Sequence, residues 1–583
     1  MTDVDSGSRP ADSGPEPFPA GVRLEDPRLV RAWTRGATAA LRRERAAIDR
    51  VNVFPVADAD TGTNLYLTLR EGDRAVAGAP ADATGPELLA TLARAALLGA
   101  RGNSGVILSE WLRGLAVAAR RGGGAADLLT RAATSARSAV AQPAEGTILT
   151  AADAAAAAAR AVEGSAGRDA ARGDGAGDAG AGGAGAGAGP LETVTAAAAA
   201  ARTAARASRD ELDALRAAGV LDAGALGLVL VLDALVVAVS EASAGAASDS
   251  AAGRVSVADG TMETVNLDQL LDAGAPPPVT EARGIEPHDG AADAGALELM
   301  FVLTGPAEAA SETVAAELRA ALGEVGDSVV VVGGDAGTGT AVWQAHVHTD
   351  RLDEALAIAA RAARAGALAQ VHVRHLAAVG QHEWGVVAAT SAPGLAADLA
   401  RAGAVVLLTG GVGSTVEALT PEDVGRAAAS TGARRVLLLG VPDAAAGTEP
   451  HLDVDEVVAV PTPTDLHAVV ALAALGTLLP IGLPDGTGEP LAIDARATVV
   501  EALAALTVVA ARGAAAVDAL RAAVGPGTTV ATALLDADAP GDLPGRLAAV
   551  LAERAPDAEL VVLATGRTGD GVHLGTEETE GAA

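Results

Sequence analysis

Cysteine and lysine are both absent from the 583 residues, and aromatic residues make up 1% of them. Without cysteine the chain has no disulfide, no thiolate metal ligand and no cysteine nucleophile, which a cytosolic protein tolerates. Without lysine it has no Walker-type phosphate loop and no lysine-dependent kinase site. If the protein binds a nucleotide, metal ions, arginine and backbone amides must hold the phosphates.

Acidic residues are in large excess, with 74 Asp and Glu against 42 basic residues and a formal net charge of −32. Because a basic surface holds a phosphate backbone, we expect no nucleic-acid partner and favour small molecules or proteins. The first residues lack the basic start and apolar centre of a signal peptide. The apolar run 224–239 is interrupted by Asp233 and falls short of a membrane span. These features predict no integral membrane segment and a cytoplasmic location.

Length and periodicity predict a multidomain protein rather than one packed unit. Helical periodicity dominates the first half, and short β-rich runs alternating with helices follow it. The predicted segments are a disordered tail at 1–24, an all-α domain at 25–243 with a flexible insertion at 164–190, a linker at 244–294, a small α/β domain at 295–380 and a C-terminal α/β domain at 383–583.

Local patterns place individual elements. Asp26 followed by Pro27 predicts a helix start, and an apolar stripe follows it. That stripe consists of Val30, Trp33, Ala37, Leu41 and Ile48, and further helices are predicted at 61–75, 86–99, 105–119, from 193 to about 243, and near 311–323. Strands are predicted at 297–303, 328–332, 341–349, 404–408, 436–440, 457–460 and 560–564, the last four in a parallel sheet covered on both faces.

The loop Asn52 to Asn64 carries the strongest chemical signal. Asp58 and Asp60 are spaced so that both carboxylates can face one hard cation, and Mg²⁺ prefers oxygen ligands. Thr61 to Thr63 then open a helix, whose free amides favour phosphate. Taken alone, the same loop is equally compatible with a capped turn carrying solvated aspartates.

Three more loops have the same small-residue character, and each alone would be an ordinary turn. They are Gly99 to Gly105, Pro143 to Thr147 and Leu221 to Gly227. In order and content the four loops resemble the nucleotide-binding (L) subunit of dihydroxyacetone kinases and, more closely, the ATP-binding subunit of bacterial fatty acid kinase. Gly99 to Ser109 reproduces the family's G-A-R-G-N-S-G-V-I-L-S. The resemblance follows the domain order of nearly the whole chain and is sharp within 50–230.

The resemblance implies an all-α nucleotide-binding helical barrel, a small α/β domain and a C-terminal DegV-like α/β domain. It implies that Asp58 and Asp60 ligate Mg²⁺ between the phosphates of ATP, with Thr61 beside them at the reacting group. The implied nucleotide-binding residues are Asn52, Thr63, Asn64, Gly102, Asn103, Ser104, Gly105, Asp222 and Gly224.

The function implied is transfer of the γ-phosphoryl group of ATP to a fatty acid that a separate DegV-type fatty-acid-binding carrier protein presents. The alternatives are a glycerone (dihydroxyacetone) kinase and a non-catalytic nucleotide-binding scaffold. A homodimer through the later domains is a reasonable expectation. Arg101 and Arg113 are both open as the positive group at the transition state.

Two departures from the family pattern bear on the site. Ala57 and Ala59 replace the family's Pro and Gly, and Ala59 would be strained if that position needs a positive φ. His346 and His348 share one face of a predicted strand, like a pair that with an upstream cysteine resembles a zinc site in the family. The missing cysteine leaves either a metal or hydrogen-bonded histidines at an interface.

Overall fold

The computed structural model describes residues 23–173, 189–249, 296–306, 311–335, 340–378, 383–413, 415–447, 454–476 and 494–578. The predicted tail, most of the predicted linker and residues 174–188 of the predicted insertion lie outside these ranges. The insertion begins later than predicted, because helix continues from Ile148 to Gly173. Helix also continues past the predicted end at 243, to Asp249.

The first described part is a helical domain. Its helices are α1 (Pro27–Asp49), α2 (Thr61–Gly78), α3 (Gly85–Leu98), α4 (Gly102–Arg120), α5 (Ala125–Ala139), α6 (Ile148–Gly173), α7 (Pro190–Glu211), α8 (Asp213–Ala218) and α9 (Ala223–Asp249). Asp26 caps α1 as predicted, accepting a hydrogen bond of 2.8 Å from the Arg28 amide. All five residues of the predicted apolar stripe of α1 are buried.

Helix α9 supplies the apolar centre of this domain. Its Ala223–Ala244 stretch is long and apolar enough to cross a membrane by length and composition, contrary to the prediction that the run is too short. In the structure 72% of the most apolar window is buried, and residues of α1, α2, α6 and α7 pack on it. The feature is therefore accounted for by the core of the helical domain.

A single eight-stranded sheet follows. Its strands are β1 (Leu297–Pro306), β2 (Asp327–Asp335), β3 (Thr340–Thr349), β4 (Ala367–His375), β5 (Trp384–Thr390), β6 (Ala404–Leu408), β7 (Arg435–Leu439) and β8 (Glu456–Val460). The strand order is β2-β3-β1-β4-β6-β5-β7-β8. The first four strands pair antiparallel, and β5 to β8 pair parallel, as predicted for that stretch. Because β4 pairs with β6, the sheet runs across the predicted boundary near 380.

A second sheet of four strands, in the order β11-β10-β12-β9, forms from β9 (Leu506–Arg512), β10 (Thr528–Leu535), β11 (Glu559–Ala564) and β12 (Gly571–Glu578). The prediction that 560–564 extends the parallel series is wrong, because β11 pairs with β10 in this separate mixed sheet. The helices around the two sheets are α10 (Ser311–Gly323), α11 (Leu352–Ala362), α12 (Ala396–Arg401), α13 (Pro421–Ser430), α14 (Asp443–Ala446), α15 (Asp465–Leu475), α16 (Ala495–Ala504), α17 (Ala515–Ala523) and α18 (Leu543–Arg554).

One face of the large sheet packs against the helical domain. Its apolar part comprises Met300, Val302, Val330, Val332, Val342 and Ala369, which cluster with Leu97, Ala100, Val106 and Ala139 of the helical domain. Two hydrogen bonds cross the same boundary: Gln344 Nε2 donates to the Ala100 carbonyl at 3.2 Å, and the Ala141 amide donates to the Val329 carbonyl at 3.2 Å. The β1–β4 part of the sheet, which we call the middle domain, is therefore docked beside the start of α4.

Candidate functional site

The N-termini of four helices meet at one end of the helical domain. The hydroxyls of Thr61 and Ser104, 3.4 Å apart, join the first turns of α2 and α4. Gly224 at the start of α9 lies so close to Ile148 at the start of α6 that an added Cβ would be 3.1 Å from the isoleucine Cβ. A glycine in the second turn of α9 packs directly on α2. The structure thus brings together all four loops that the sequence singles out, with their free amides and positive dipole ends on one side.

The loop before α2 is organised by Asn52, which is buried. Its Nδ2 donates to the Val56 carbonyl at 3.0 Å and to Asp58 Oδ1 at 2.6 Å. Its Oδ1 accepts a hydrogen bond from the Thr61 hydroxyl. Asn52 therefore fixes the first carboxylate and the start of the helix at once, which is the orienting role that the resemblance implies for it.

Asp58 and Asp60 carry the negative charge of this loop. Burial and the neighbouring Asp60 raise the pKa of Asp58 well above its usual range, and Arg374 acts in the opposite direction. Asp60 is buried, and its Oδ2 accepts a hydrogen bond of 2.7 Å from Arg374 Nη2, which comes from β4 of the middle domain. The candidate metal ligands are thus held in an environment that favours an added positive charge.

Thr63 is engaged by a residue that sequence reasoning missed. Asp49, the last residue of α1, accepts hydrogen bonds from the Thr63 amide at 3.0 Å and from its hydroxyl at 2.7 Å. Burial raises the pKa of Asp49 to about 6. A phosphate contact by Thr63 stays a prediction, since Asp49 would first have to release those donors.

The loop before α4 lies against α2. Gly102 adopts φ +52°, and a Cβ there would overlap the amide of Asn64, while a Cβ on Gly105 would overlap the Thr68 hydroxyl. Glycine at these two positions therefore allows the loop to approach α2 closely. Asn103 Oδ1 is buried without a hydrogen-bond partner among the described residues, which leaves a polar atom for a ligand at this loop.

Asp222 caps the N-terminus of α9. Its Oδ2 accepts a hydrogen bond of 2.7 Å from the Ala225 amide, and the side chain is buried beside Gly224. Burial raises the pKa of Asp222 to about 7, because three backbone hydrogen bonds offset only part of its desolvation. Asp222 and Gly224 thus reach the shared end of the domain, with the carboxylate used as a helix cap.

Ala59, between the two aspartates, has φ +55°. This is the left-handed region that glycine adopts freely and alanine adopts at a cost of about 1–2 kcal/mol. The condition under which we predicted strain at this position is therefore met. The carboxylates stay in place, because Asn52 and Arg374 hold Asp58 and Asp60 from opposite sides.

A second cluster lies on the middle-domain face that packs on the helical domain. Glu298 on β1 stands in register with His348 on β3 and with Arg374 on β4. Glu298, His346 and His348 are buried and offer ligand atoms within 4.8 Å of one another. Burial lowers the pKa of His346 to about 3, so its imidazole is neutral. Arg374 donates to both oxygens of Glu298 at 2.8 Å.

Both groups of residues fit the metal ions that the resemblance implies. At the first, Asp58, Asp60 and Glu298 share the guanidinium of Arg374, so a divalent cation would complete the charge balance. At the second, both nitrogens of His346 are buried without a partner among the described residues, and two imidazoles with a carboxylate suit Zn²⁺. Glu298, adjacent to Leu297, supplies an acidic ligand near the place where the family has cysteine.

Arg374 and Glu298 are the other residues that sequence reasoning missed. Glu298 left one signal, a charged residue inside an otherwise apolar β-run. Arg374 lies on β4, a strand that we did not predict, where it alternates with His372 on one face. Of the two candidates for the positive group, Arg113 pairs with Glu110. The Nε atom of Arg101 is buried without a hydrogen-bond partner among the described residues.

Comparison with known families identifies two segments. Residues 55–173 match the DAK2 domain, and residues 296–383 match the FakA-like middle domain of fatty acid kinase. The first segment contains both aspartates and the loop before α4. The second contains Glu298, the two histidines and Arg374. The resemblance drawn from the sequence is confirmed by these matches.

Individual relatives are similar over short stretches. Protein YloV of Bacillus subtilis is 37% identical over 134 residues, which are 22% of this chain and 24% of that protein. An uncharacterised protein of Staphylococcus saprophyticus is 40% identical over 111 residues, 18% of this chain and 19% of its own length. The chain therefore spans about a quarter or less of the length of these curated relatives. A crystal structure of dihydroxyacetone kinase from C. freundii with AMP-PNP and Mg²⁺ aligns at 18% identity and a TM-score of 0.27, over 40% of this chain and 37% of that one, too weakly to carry an argument.

Proposed function

Because the chain belongs, by its DAK2 domain and its middle domain, to the FakA-like fatty acid kinase family, we propose that it transfers the γ-phosphoryl group of ATP to a fatty acid carboxylate. A separate DegV-type carrier protein would present the fatty acid in the cytoplasm. The acyl acceptor, the carrier and a homodimer through the later domains are all part of this proposal.

The observation that carries the proposal is the pair of acidic side chains at the point where four helix N-termini meet. Asp58 and Asp60 would hold Mg²⁺, and the first turns of α2 and α4 would receive the phosphates. When bound, Mg²⁺ neutralises charge on the phosphoryl group that is transferred. Lysine is not indispensable in such a site, because helix amides and arginine supply the remaining donors.

The reaction is a direct displacement at phosphorus. A carboxylate oxygen of the fatty acid bonds to the γ-phosphorus, the bond from that phosphorus to the β,γ-bridging oxygen breaks, and ADP leaves with the bonding electrons. The product is an acyl phosphate. The protein contributes by positioning and by charge, since neither nucleophile nor leaving group needs a proton. Asn52 orients Asp58, and the Thr61 hydroxyl, fixed by Asn52, stands at the start of α2 beside the phosphates.

The test uses the full chain with ATP, Mg²⁺, a fatty acid and a DegV-type carrier. We expect acyl phosphate and ADP in equal amounts from the native protein and a loss of at least about 100-fold with Asp58→Asn. Asp127→Asn, on the exposed side of α5, is the control and should retain full activity. Equal ATP consumption by the native protein and Asp58→Asn would end the proposal. Activity with dihydroxyacetone, and none with the lipid carrier, would transfer it to a glycerone kinase.

A non-catalytic scaffold is the second candidate, and the left-handed Ala59 between the two aspartates is the observation in its favour. A scaffold that has lost its metal loop should bind ATP weakly and without dependence on Mg²⁺. Titration calorimetry of the native chain, with and without Mg²⁺, separates the two candidates before any acceptor is known.

A further inference from the structure

We propose that Arg374 of the middle domain is the positively charged group that contacts the transferring phosphoryl group in the DAK2-type site, with Glu298 as its positioning residue. This inference rests on the proposed function and goes beyond it by assigning the transition-state cation to a different domain. The chain has no lysine to serve in this place. Arginine is the remaining side chain that keeps a full positive charge at neutral pH.

The first argument is the position of the guanidinium. Arg374 Nη2 donates to Asp60 Oδ2 at 2.7 Å, across 314 residues of sequence and across the domain boundary. This bond takes one oxygen of Asp60, so Oδ1 is left for a metal ion. A group that already contacts a proposed Mg²⁺ ligand stands next to the place where the terminal phosphate must lie.

The second argument is how rigidly the guanidinium is held. Nε donates to Glu298 Oε1 and Nη2 to Glu298 Oε2, both at 2.8 Å, which is the two-pronged geometry that fixes an arginine in orientation as well as in charge. Glu298 is itself fixed, because it lies between β3 and β4 in the centre of the sheet. Nη1 has no hydrogen-bond partner among the residues that the structure describes. It therefore offers a donor to a phosphate oxygen without loss of an existing bond.

The third argument is the setting. Arg374, Asp60 and Glu298 are 6%, 7% and 2% exposed, so their charges act with little screening by water. Such a cluster, with one guanidinium among acidic groups, costs free energy unless it serves a purpose beyond stability. The apolar contact between the middle domain and the start of α4 places the arginine at the phosphate loop in every molecule that is folded and docked.

The test measures affinity for ADP and Mg²⁺ with and without aluminium fluoride, which mimics the phosphoryl group in transfer and needs no acyl acceptor. We expect native protein to bind the ADP–aluminium fluoride complex far more tightly than ADP. In Arg374→Gln we expect affinity for Mg-ADP to change less than about tenfold and the added affinity for the fluoride complex to fall by roughly 10³-fold. Glu298→Gln should give a smaller loss in the same direction.

Arg426→Gln is the matched control, because that arginine is as well buried and pairs with two acidic residues on its own helix. It should retain the native preference for the fluoride complex. If Arg374→Gln destabilises the chain, Arg374→Ala with added guanidinium ion replaces it. Recovery with guanidinium but not with ammonium supports the inference, and no response to guanidinium overturns it. So does native preference for the fluoride complex in Arg374→Gln. A native chain that binds no Mg-nucleotide would refute the proposed function itself, a result distinct from either.

Discussion

Replacing Ala59 by glycine should stabilise the protein, because the backbone at this position is left-handed, with φ +55°. A residue with a Cβ loses about 1–2 kcal/mol in that conformation and glycine does not. Glycine also gains freedom in the unfolded chain, which offsets roughly 0.4–1 kcal/mol of the benefit. The Ala59 side chain is exposed, so removing its methyl group sacrifices little packing. The expected net gain is therefore about 0.5–1 kcal/mol.

Thermal unfolding followed by far-ultraviolet circular dichroism measures this gain. For a helical domain of this size, it corresponds to a rise in melting temperature of about 1–4 °C. The matched control is Ala57→Gly, two residues earlier in the same loop, exposed and without a positive φ. There the substitution should destabilise by roughly 0.4–1 kcal/mol, since only the unfolded chain gains freedom.

The same substitution has a functional consequence. A loop that reaches its conformation without strain should bind Mg-ATP at least as tightly in Ala59→Gly as in the native chain, by calorimetry. If Ala59→Gly melts at or below the native temperature, or if both glycine substitutions shift it equally, the strain argument is wrong.

Three further predictions concern pH, packing and metal. Asp222 keeps its proton in the folded state up to pH about 7, whereas the unfolded chain releases it above pH about 4, so its contribution to stability is lost as the pH rises from about 4 through 7; Asp222→Asn should flatten this slope, by up to about 3 kcal/mol, in melts between pH 5 and 8, and an unchanged slope would contradict it. Gly62→Ala should destabilise by about 1–3 kcal/mol in thermal melts because its Cβ would overlap the backbone of α1, whereas Gly78→Ala, on the same helix with open space around it, should be neutral or stabilising; similar melts of the two variants would refute this reading. Equimolar Zn²⁺ should raise the melting temperature of native protein and not of His346→Ala, and an equal response of both would exclude the buried cluster as the zinc site.

Local rules predicted those parts of the fold that depend on near neighbours in sequence. The start of α1 followed from Asp26 and Pro27, and the α10 and β6 bounds matched the periodicity. The four loops could be singled out because each combines small residues with polar ones before a helix. That they would meet at one end followed from the resemblance, since no spacing within one loop contains it.

Long-range pairing was beyond the same rules. Arg374 reaches Asp60 only because β4 lies beside β1, and the β4 sequence lacks a strong period that would mark it as a strand. The missing cysteine directed attention away from the metal cluster, whereas Glu298 supplies a carboxylate one residue from Leu297. Asp49 was missed for a different reason: it ends a regular helix, and only the fold shows that it receives the donors of Thr63.

The pairing of β4 bears on how this protein can be divided. Along its outer side, β4 meets β6 through His372 and Val373, and the stretch 415–417 through Leu368. A fragment that stopped near 380 would leave those amides and carbonyls without partners on a bare strand, an invitation to self-association. Any truncated version intended for crystallisation or for domain-exchange experiments should therefore retain the chain through β8, so that the cut falls beyond the large sheet and not within it.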